Sequence, residues 1–115
     1  HDPAAAKALS GMLKGERYVL LFGALARKQG LATLRELSGG AERVFLTGVP
    51  GEANALELEG CLTIPDPEEA LAAALAAAEA STGLLVVAGS LHLAGALRPT
   101  LRRLKSGPRP GVNAW

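Results

Sequence analysis

One stretch of the sequence, residues 84–98, constrains the fold more than any other; it reads Leu-Leu-Val-Val-Ala-Gly-Ser-Leu-His-Leu-Ala-Gly-Ala-Leu-Arg. Its opening apolar run is typical of a strand that is buried on both faces, as in a parallel sheet. Beyond the run, apolar residues recur at helical spacing, at Leu93, Leu97, Leu101 and Leu104. The segment therefore predicts a buried strand followed at once by a helix that packs on the sheet.

Ser90 lies at the point where this strand becomes the helix, which is the carboxyl edge of the predicted sheet. Open α/β sheets bind their ligands at that edge. The free N–H groups and partial positive charge of a helix start also favour a carboxylate or a phosphate. Ser90 is therefore a candidate anion-binding residue, and the alternative is that it only caps the helix.

The rest of the chain alternates between helical and strand patterns. Asp2 caps a first predicted helix, which Gly15 ends and whose apolar face is Ala5, Leu9, Met12 and Leu13. A short helix is marked by Leu31, Leu34 and Leu37, and a longer one runs from the capping residue Asp66 to about Ala80. The last predicted helix covers residues 91–105, and strands are predicted at 17–22, 43–47, 61–64 and 84–88, with loops at 24–30 and 48–60.

This alternation predicts an α/β domain with a mostly parallel sheet and helices on both faces. Because the pattern starts with a helix, we expect the first strand of the unit to be missing from this chain. Residues 1–105 form one domain of ordinary size. Residues 106–115 carry Gly and Pro breakers without an apolar stripe, so we expect a flexible tail there.

Composition excludes several classes of function. The 12 basic and 11 acidic residues give a net charge of +1, which offers no electrostatic case for binding nucleic acid or a membrane surface. No apolar run approaches the roughly 18 residues of a membrane span. The single cysteine, Cys61, excludes an internal disulfide, fits a reducing cytoplasm and is expected in the core.

The chain has no Gly-x-Gly-x-x-Gly after a strand and no Gly-x-x-x-x-Gly-Lys-Ser/Thr, so no phosphate-cradling loop of its own is predicted. The two histidines and the one cysteine show no metal-ligand spacing, and no metal site is predicted. Ser90 also lacks the context of a nucleophile elbow.

Three segments at predicted strand-to-helix turns carry a family resemblance. The sequence His-Asp-Pro at residues 1–3 is similar to the end of Asp-Gly-Ala-His-Asn-Pro, and Gly-Ala-Leu-Ala-Arg-Lys-Gln at 23–29 resembles Gly-Ala-Leu-Ala-Asp-Lys-Asp. The block at 89–98 resembles Gly-Ser-Leu-Tyr-Leu-Ala-Gly-x-x-Arg. Together they resemble the C-terminal domain of folylpolyglutamate synthase/dihydrofolate synthase, of the Mur ligase superfamily.

The resemblance implies a Rossmann-like three-layer domain of an ATP-dependent ligase that adds L-glutamate to folate or to dihydropteroate through an acyl phosphate. It implies that ATP and Mg²⁺ are bound mainly by a central ATPase domain, which precedes this one and is absent from this chain. The fragment alone is expected to be inactive, and the full-length enzyme to be monomeric and cytoplasmic.

The resemblance also implies roles for individual residues. His1 is implied as catalytic and, with Ser90, as glutamate-binding, while Lys28 and Asp2 are implied on the side of the ATP phosphates. Arg27 and Gln29 replace two acidic residues of the family pattern, and Asn54 stands where relatives often carry Arg.

Two alternatives remain open. One is the equivalent domain of a peptidoglycan Mur ligase, against which the block at 89–98 argues. The other is a non-enzymatic, Rossmann-like binding module, against which the missing first strand argues.

Overall fold

In a computed structural model of the chain, the backbone is described for residues 3–23, 28–49, 58–89, 91–105 and 112–114. For some residues in these ranges the backbone is described but the side chain is not. They are residues 3, 28, 29, 91, 92, 104, 105 and 112–114.

The described residues form four helices and five strands. The helices are α1 (Pro3–Met12), α2 (Lys28–Ser38), α3 (Pro67–Ser81) and α4 (Leu91–Lys105). The strands are β1 (Tyr18–Gly23), β2 (Arg43–Leu46), β3 (Leu62–Thr63), β4 (Leu84–Gly89) and β5 (Val112–Ala114).

All the strand pairs are parallel, and the strands lie in the order β3-β2-β1-β4-β5. The two most buried strands, β1 and β4, are neighbours along their whole length, from the pair Tyr18 and Leu84 to the pair Gly23 and Gly89. The predicted parallel sheet is therefore confirmed, and β1 and β4 end side by side at Gly23 and Gly89.

Each face of the sheet has its own apolar core. On one face the buried residues come from α3, α4 and alternate strand positions: Val19, Leu21, Phe45, Ala70, Leu71, Ala74, Leu75, Ala78, Leu85, Val87, Leu93, Leu97 and Leu101. On the other face they come from α1, α2, the turn after α1 and the remaining strand positions: Ala6, Leu9, Leu13, Tyr18, Leu20, Phe22, Leu34, Leu37, Leu46, Val86 and Ala88. Helices on both faces, and hence the three-layer α/β class, are confirmed.

The phase of α1 differs from the prediction. Ala5 and Met12 were expected on its apolar face, but Ala5 is exposed and Met12 is 66% exposed. The buried stripe is instead Ala6, Leu9 and Leu13. Both sets have helical spacing and share Leu9 and Leu13, and the one that includes Ala6 packs with residues of α2 and the sheet.

One other boundary was wrong. The loop expected through Gly30 is too long, because α2 begins at Lys28; a glycine in the first turn does not prevent a helix from starting. Within the segment 106–115, for which a flexible tail is predicted, Val112–Ala114 pairs with β4 as an edge strand. Residues 24–27, most of the predicted loop at 48–60, and the side chain of Leu104 lie outside the description.

Candidate functional site

The strand order places a topological switch point between β1 and β4. From β1 the chain continues to β2 and β3 on one side, whereas from β4 it continues to β5 on the other. The helix after β1, α2, packs on one face of the sheet and the helix after β4, α4, packs on the other, so a crevice is expected between them at the carboxyl ends of these strands. Ligands of open α/β sheets bind in such crevices, so this edge is the candidate site.

Two glycines bring the ends of β1 and β4 together. Gly89 has a φ of +116°, and a Cβ atom built on it would overlap the carbonyl oxygen of Gly23 and lie 2.9 Å from the Gly23 carbonyl carbon. A Cβ on Gly23 would lie 2.8 Å from Cδ2 of Leu93 in α4. The floor of the crevice is therefore bare backbone, and any larger residue at Gly89 would push the two strands apart.

Thr47 forms the neighbouring wall, immediately after β2. Its side chain is buried; its Oγ1 donates a hydrogen bond to the carbonyl oxygen of Pro65 at 3.3 Å, and its Cγ2 faces Gly23. The backbone N–H of Gly48 donates to the same Pro65 oxygen at 3.1 Å. These bonds fix the loop before α3 against the end of β2. The sequence analysis did not single out Thr47, although a hydroxyl residue directly after an apolar run can indicate a polar group at the end of a strand.

The helices α1, α2 and α4 direct their amino ends toward this edge. Residues 24–27 separate β1 from α2, and residue 90 alone separates β4 from α4. The first half of α1 lies against the end of β4, where Ala6 and Leu9 share a cleft with Ala88 and Gly89. A helix start carries free N–H groups and a partial positive charge. The edge is thus suited to a negatively charged ligand.

The predicted site residues fall mostly outside the description. His1, Asp2 and Ser90 are not described, and Lys28 is described only as the first residue of α2. Their described neighbours Pro3, Gly89 and Leu91 begin or end elements that meet at this edge. The described residues thus neither support nor contradict side-chain roles for these four.

The described residues whose pKa is clearly shifted, Tyr18 and Cys61, do not lie at the carboxyl edge of the sheet. Burial raises the pKa of Tyr18, which stands at the opposite, amino end of β1, and a backbone hydrogen bond with Gly40 lowers it by a smaller amount. Burial also raises the pKa of Cys61, which precedes β3 and is half-buried against the core rather than inside it. At the carboxyl edge, backbone groups are therefore the main resource that the described residues offer to a ligand.

No group of three or more His, Cys, Asp and Glu side chains within the described ranges could hold a metal ion. None of the helices described is both long and apolar enough to cross a bilayer. No protein-family model matches the chain, and neither does any curated protein or solved structure.

Proposed function

We propose that this chain is the C-terminal, glutamate-side domain of a cytoplasmic, monomeric ATP-dependent ligase that adds L-glutamate to folate. Dihydropteroate is the second acceptor acid. In this reaction the acid takes the γ-phosphate of ATP and becomes an acyl phosphate. The glutamate amine then attacks the acyl carbon, inorganic phosphate leaves, and an amide forms.

The observation that supports the proposal is that the three sequence segments with the family resemblance adjoin elements that meet at one edge of the sheet. Residues 1–3 lead into α1, residues 23–29 join β1 to α2, and residues 89–98 join β4 to α4. Gly23 and Gly89, which bring the ends of β1 and β4 together, both belong to these segments.

In the proposal, this edge binds the anionic reactants. Ser90 and the start of α4 hold a glutamate carboxylate, and His1 lies beside the reacting end of glutamate. Lys28 and Asp2 lie toward the ATP phosphates. A carboxylate at a helix start is stabilised by the free N–H groups and by the helix dipole.

ATP and Mg²⁺ are assigned mainly to a separate central domain. The chain has no Gly-x-x-x-x-Gly-Lys-Ser/Thr loop, and the described residues offer no set of ligands suited to a metal. The isolated domain is therefore expected to bind no ATP at micromolar concentration in calorimetry, and clear micromolar affinity would contradict this division of labour.

The decisive experiment is a ligase assay on the full-length protein that contains this chain. Purified protein, ATP and Mg²⁺ are incubated with labelled L-glutamate and either a reduced folate or dihydropteroate, and both amide formation and phosphate release are measured. We expect both products with at least one acceptor. Amino-acid transfer to a UDP-muramyl acceptor instead would identify a peptidoglycan ligase, and no ligation with any acceptor would favour a binding module.

The role of Ser90 is tested in the same assay. One hydrogen bond to a charged group is worth about 1.5–3 kcal/mol, so Ser90→Ala should lower kcat/KM for glutamate by roughly ten- to a hundredfold. Ser90→Asp can still cap α4 but repels the carboxylate, so it should lower kcat/KM further. Ser38→Ala is the matched control, because Ser38 ends α2 and its Oγ donates to the carbonyl oxygen of Arg35. Full glutamate affinity in Ser90→Asp would show that Ser90 is only a cap.

A further inference from the structure

Gly23, the last residue of β1, is enclosed on the sheet face that α3 and α4 cover. It follows Val19 and Leu21 on that face, because alternate residues of a strand point the same way. A Cβ atom built on Gly23 would lie 2.8 Å from Cδ2 of Leu93 in α4 and 3.2 Å from Cγ2 of Thr47. Leu93 and Thr47 are both buried. The place that a side chain of residue 23 would occupy is therefore already filled.

The contact with Leu93 reaches the first turn of α4. Leu93 is the third residue of this helix, and residue 90 alone separates the helix from β4. The side chain of Leu93 is 0% exposed and packs in the core that α3 and α4 share. Because protein cores are packed to the density of organic crystals, Leu93 has little room to turn aside. A group added at residue 23 would therefore push the start of α4 away from β1.

We propose that Gly23 is a positioning residue for glutamate: without a side chain, it lets Leu93 hold the start of α4 against the carboxyl end of β1. This role rests on the proposed function, in which the start of α4 binds the glutamate carboxylate. Gly23 acts in it through Leu93. Hydrogen bonds weaken as their distance and angle leave the preferred range, so the placement of the helix start decides how well it holds a carboxylate.

Gly23 differs from Gly89 in what a side chain would disturb. Gly23 has no positive φ, so alanine can adopt its backbone conformation without strain. The atom nearest to its missing Cβ is the end of a side chain, whereas for Gly89 it is a backbone carbonyl oxygen. The end of a side chain can shift more easily than the backbone of a paired strand. We therefore expect Gly23→Ala to fold and to move the start of α4.

The test is Gly23→Ala in the ligase assay of the full-length protein. We expect the KM for glutamate to rise by roughly three- to tenfold, because the carboxylate meets a displaced helix start, and the KM for ATP to stay unchanged. A purely structural defect would instead reduce the amount of active protein and hence the apparent kcat. Gly11→Ala is the matched control, because Gly11 lies in α1 with nothing within 4 Å of its missing Cβ.

A second substitution shows which contact transmits the change. Leu93→Val shortens the side chain that meets residue 23, so the double variant Gly23→Ala/Leu93→Val should recover most of the affinity for glutamate. Thr47→Ser removes the other contact, Cγ2, and keeps the hydroxyl that bonds to Pro65, so it should not rescue Gly23→Ala. Rescue by Thr47→Ser, or by neither substitution, would overturn the proposal.

An NMR measurement on the chain itself follows the displacement directly. Gly23→Ala should shift the backbone amide signals of Leu93 and Ala94, and adding Leu93→Val should return the Ala94 signal toward its wild-type position. Unchanged signals in the first turn of α4 would contradict the proposed displacement. If Gly23→Ala does not fold, Leu93→Ile tests the same contact from the side of α4, because it keeps the volume of the core and moves the methyl groups. It should also raise the KM for glutamate, and an unchanged KM in that folded variant would overturn the proposal.

Failure of this role and failure of the proposed function give different results. Ligation by the wild type with an unchanged KM for glutamate in folded Gly23→Ala would remove the role of Gly23 and leave the proposed function intact. No ligation by the wild type with any acceptor would overturn the proposed function, and the role of Gly23 with it.

Discussion

Gly89 occupies a position where the backbone leaves no room for a side chain. Its φ of +116° is in the region that L residues rarely adopt, and its missing Cβ faces the Gly23 peptide. The contact lies in the middle of the sheet, where β1 and β4 are paired along their length. Strand separation there would disturb both cores and the crevice together.

We therefore expect Gly89→Ala to lower the free energy of unfolding by about 3 kcal/mol, from backbone strain plus the clash with Gly23. Gly95→Ala is the matched control: Gly95 lies inside α4 and nothing lies within 4 Å of its missing Cβ. That change should raise the free energy of unfolding by about 0.5–1 kcal/mol. Urea titration of both variants measures the difference, and equal stabilities would contradict the argument.

Tyr18 is a second residue whose environment makes a measurable difference. Its ring is buried and its hydroxyl donates a hydrogen bond to the carbonyl oxygen of Leu37, which ties β1 to the end of α2. Tyr18→Phe removes the hydroxyl, so the Leu37 carbonyl loses this hydrogen bond. The expected loss at neutral pH is about 1–2 kcal/mol of unfolding free energy.

The raised pKa of Tyr18 adds a pH dependence. The ordinary value is 10.0 and burial raises the pKa in the folded state, so the unfolded chain loses this proton first as pH rises. The contribution of Tyr18 to stability is therefore complete below pH 10.0 and is lost as pH rises through the folded-state pKa. In denaturant titrations, the difference in stability between wild type and Tyr18→Phe should be constant below pH 10.0 and should narrow as pH rises above it, and a difference that does not change with pH would contradict this assignment.

At the scale of elements, the residues at the start of α3 determine where this helix begins. Asp66 has extended backbone angles, its carboxylate accepts a hydrogen bond from the Glu69 N–H at 3.0 Å, and Pro67 takes the first helical position. At the other end, Thr82 adopts the left-handed conformation. The sequence predicted this start from the same residues because a cap acts within one turn.

Asp66→Ala should therefore lower the free energy of unfolding by about 1 kcal/mol, since one amide at the start of α3 loses its acceptor. Asp66→Asn keeps a side-chain oxygen at the same distance along the chain and should stay close to wild type. Thermal unfolding of the pair separates the cap from the charge, and the cap explanation fails if both variants lose the same stability.

The bounds of an element could be predicted where its own residues determine them, and less well where pairing with another element does. The apolar stripe of Leu93, Leu97 and Leu101 correctly predicted α4 at 91–105, although Pro99 lies inside this helix. Pro99 has no N–H to donate to the Gly95 carbonyl, and the helix tolerates this because Gly95 is exposed. In contrast, β5 has only three residues, and its pairing with β4 defines it as a strand. No local period could reveal such a segment.

At the scale of the whole molecule, one sheet separates two cores. Successive residues of β4 face opposite ways, so that Val86 packs with α1 and α2 while Val87 packs with α3 and α4. The sequence predicted this arrangement because uninterrupted apolar strands must be covered on both faces. It also predicted which edge carries the candidate site, but not the position of Thr47 against Gly23 and Pro65, which depends on how separate elements meet.

Val86→Ala and Val87→Ala should each lower the free energy of unfolding by about 2 kcal/mol. Because the two side chains pack in separate cores, we expect the double variant to lose close to the sum of the two, with any coupling carried by the backbone that joins them. Denaturant unfolding with a single transition checks both points. A coupling of 1 kcal/mol or more would mean that the sheet transmits strain between the cores.

The pairing of β1 with β4 also has a consequence for how the chain acquires its structure. The two strands at the centre of the sheet are far apart in sequence, joined through α2, β2, β3 and α3. During synthesis, β1 leaves the ribosome before β4 has been translated. The apolar residues of β1 therefore remain without their pairing strand until residues 84–89 are made. Long-range parallel pairing of this kind closes a large loop before it gains contacts, which slows folding relative to helical bundles of similar size. We therefore expect aggregation to occur most readily before β4 has paired with β1, while the edge of β1 is still open.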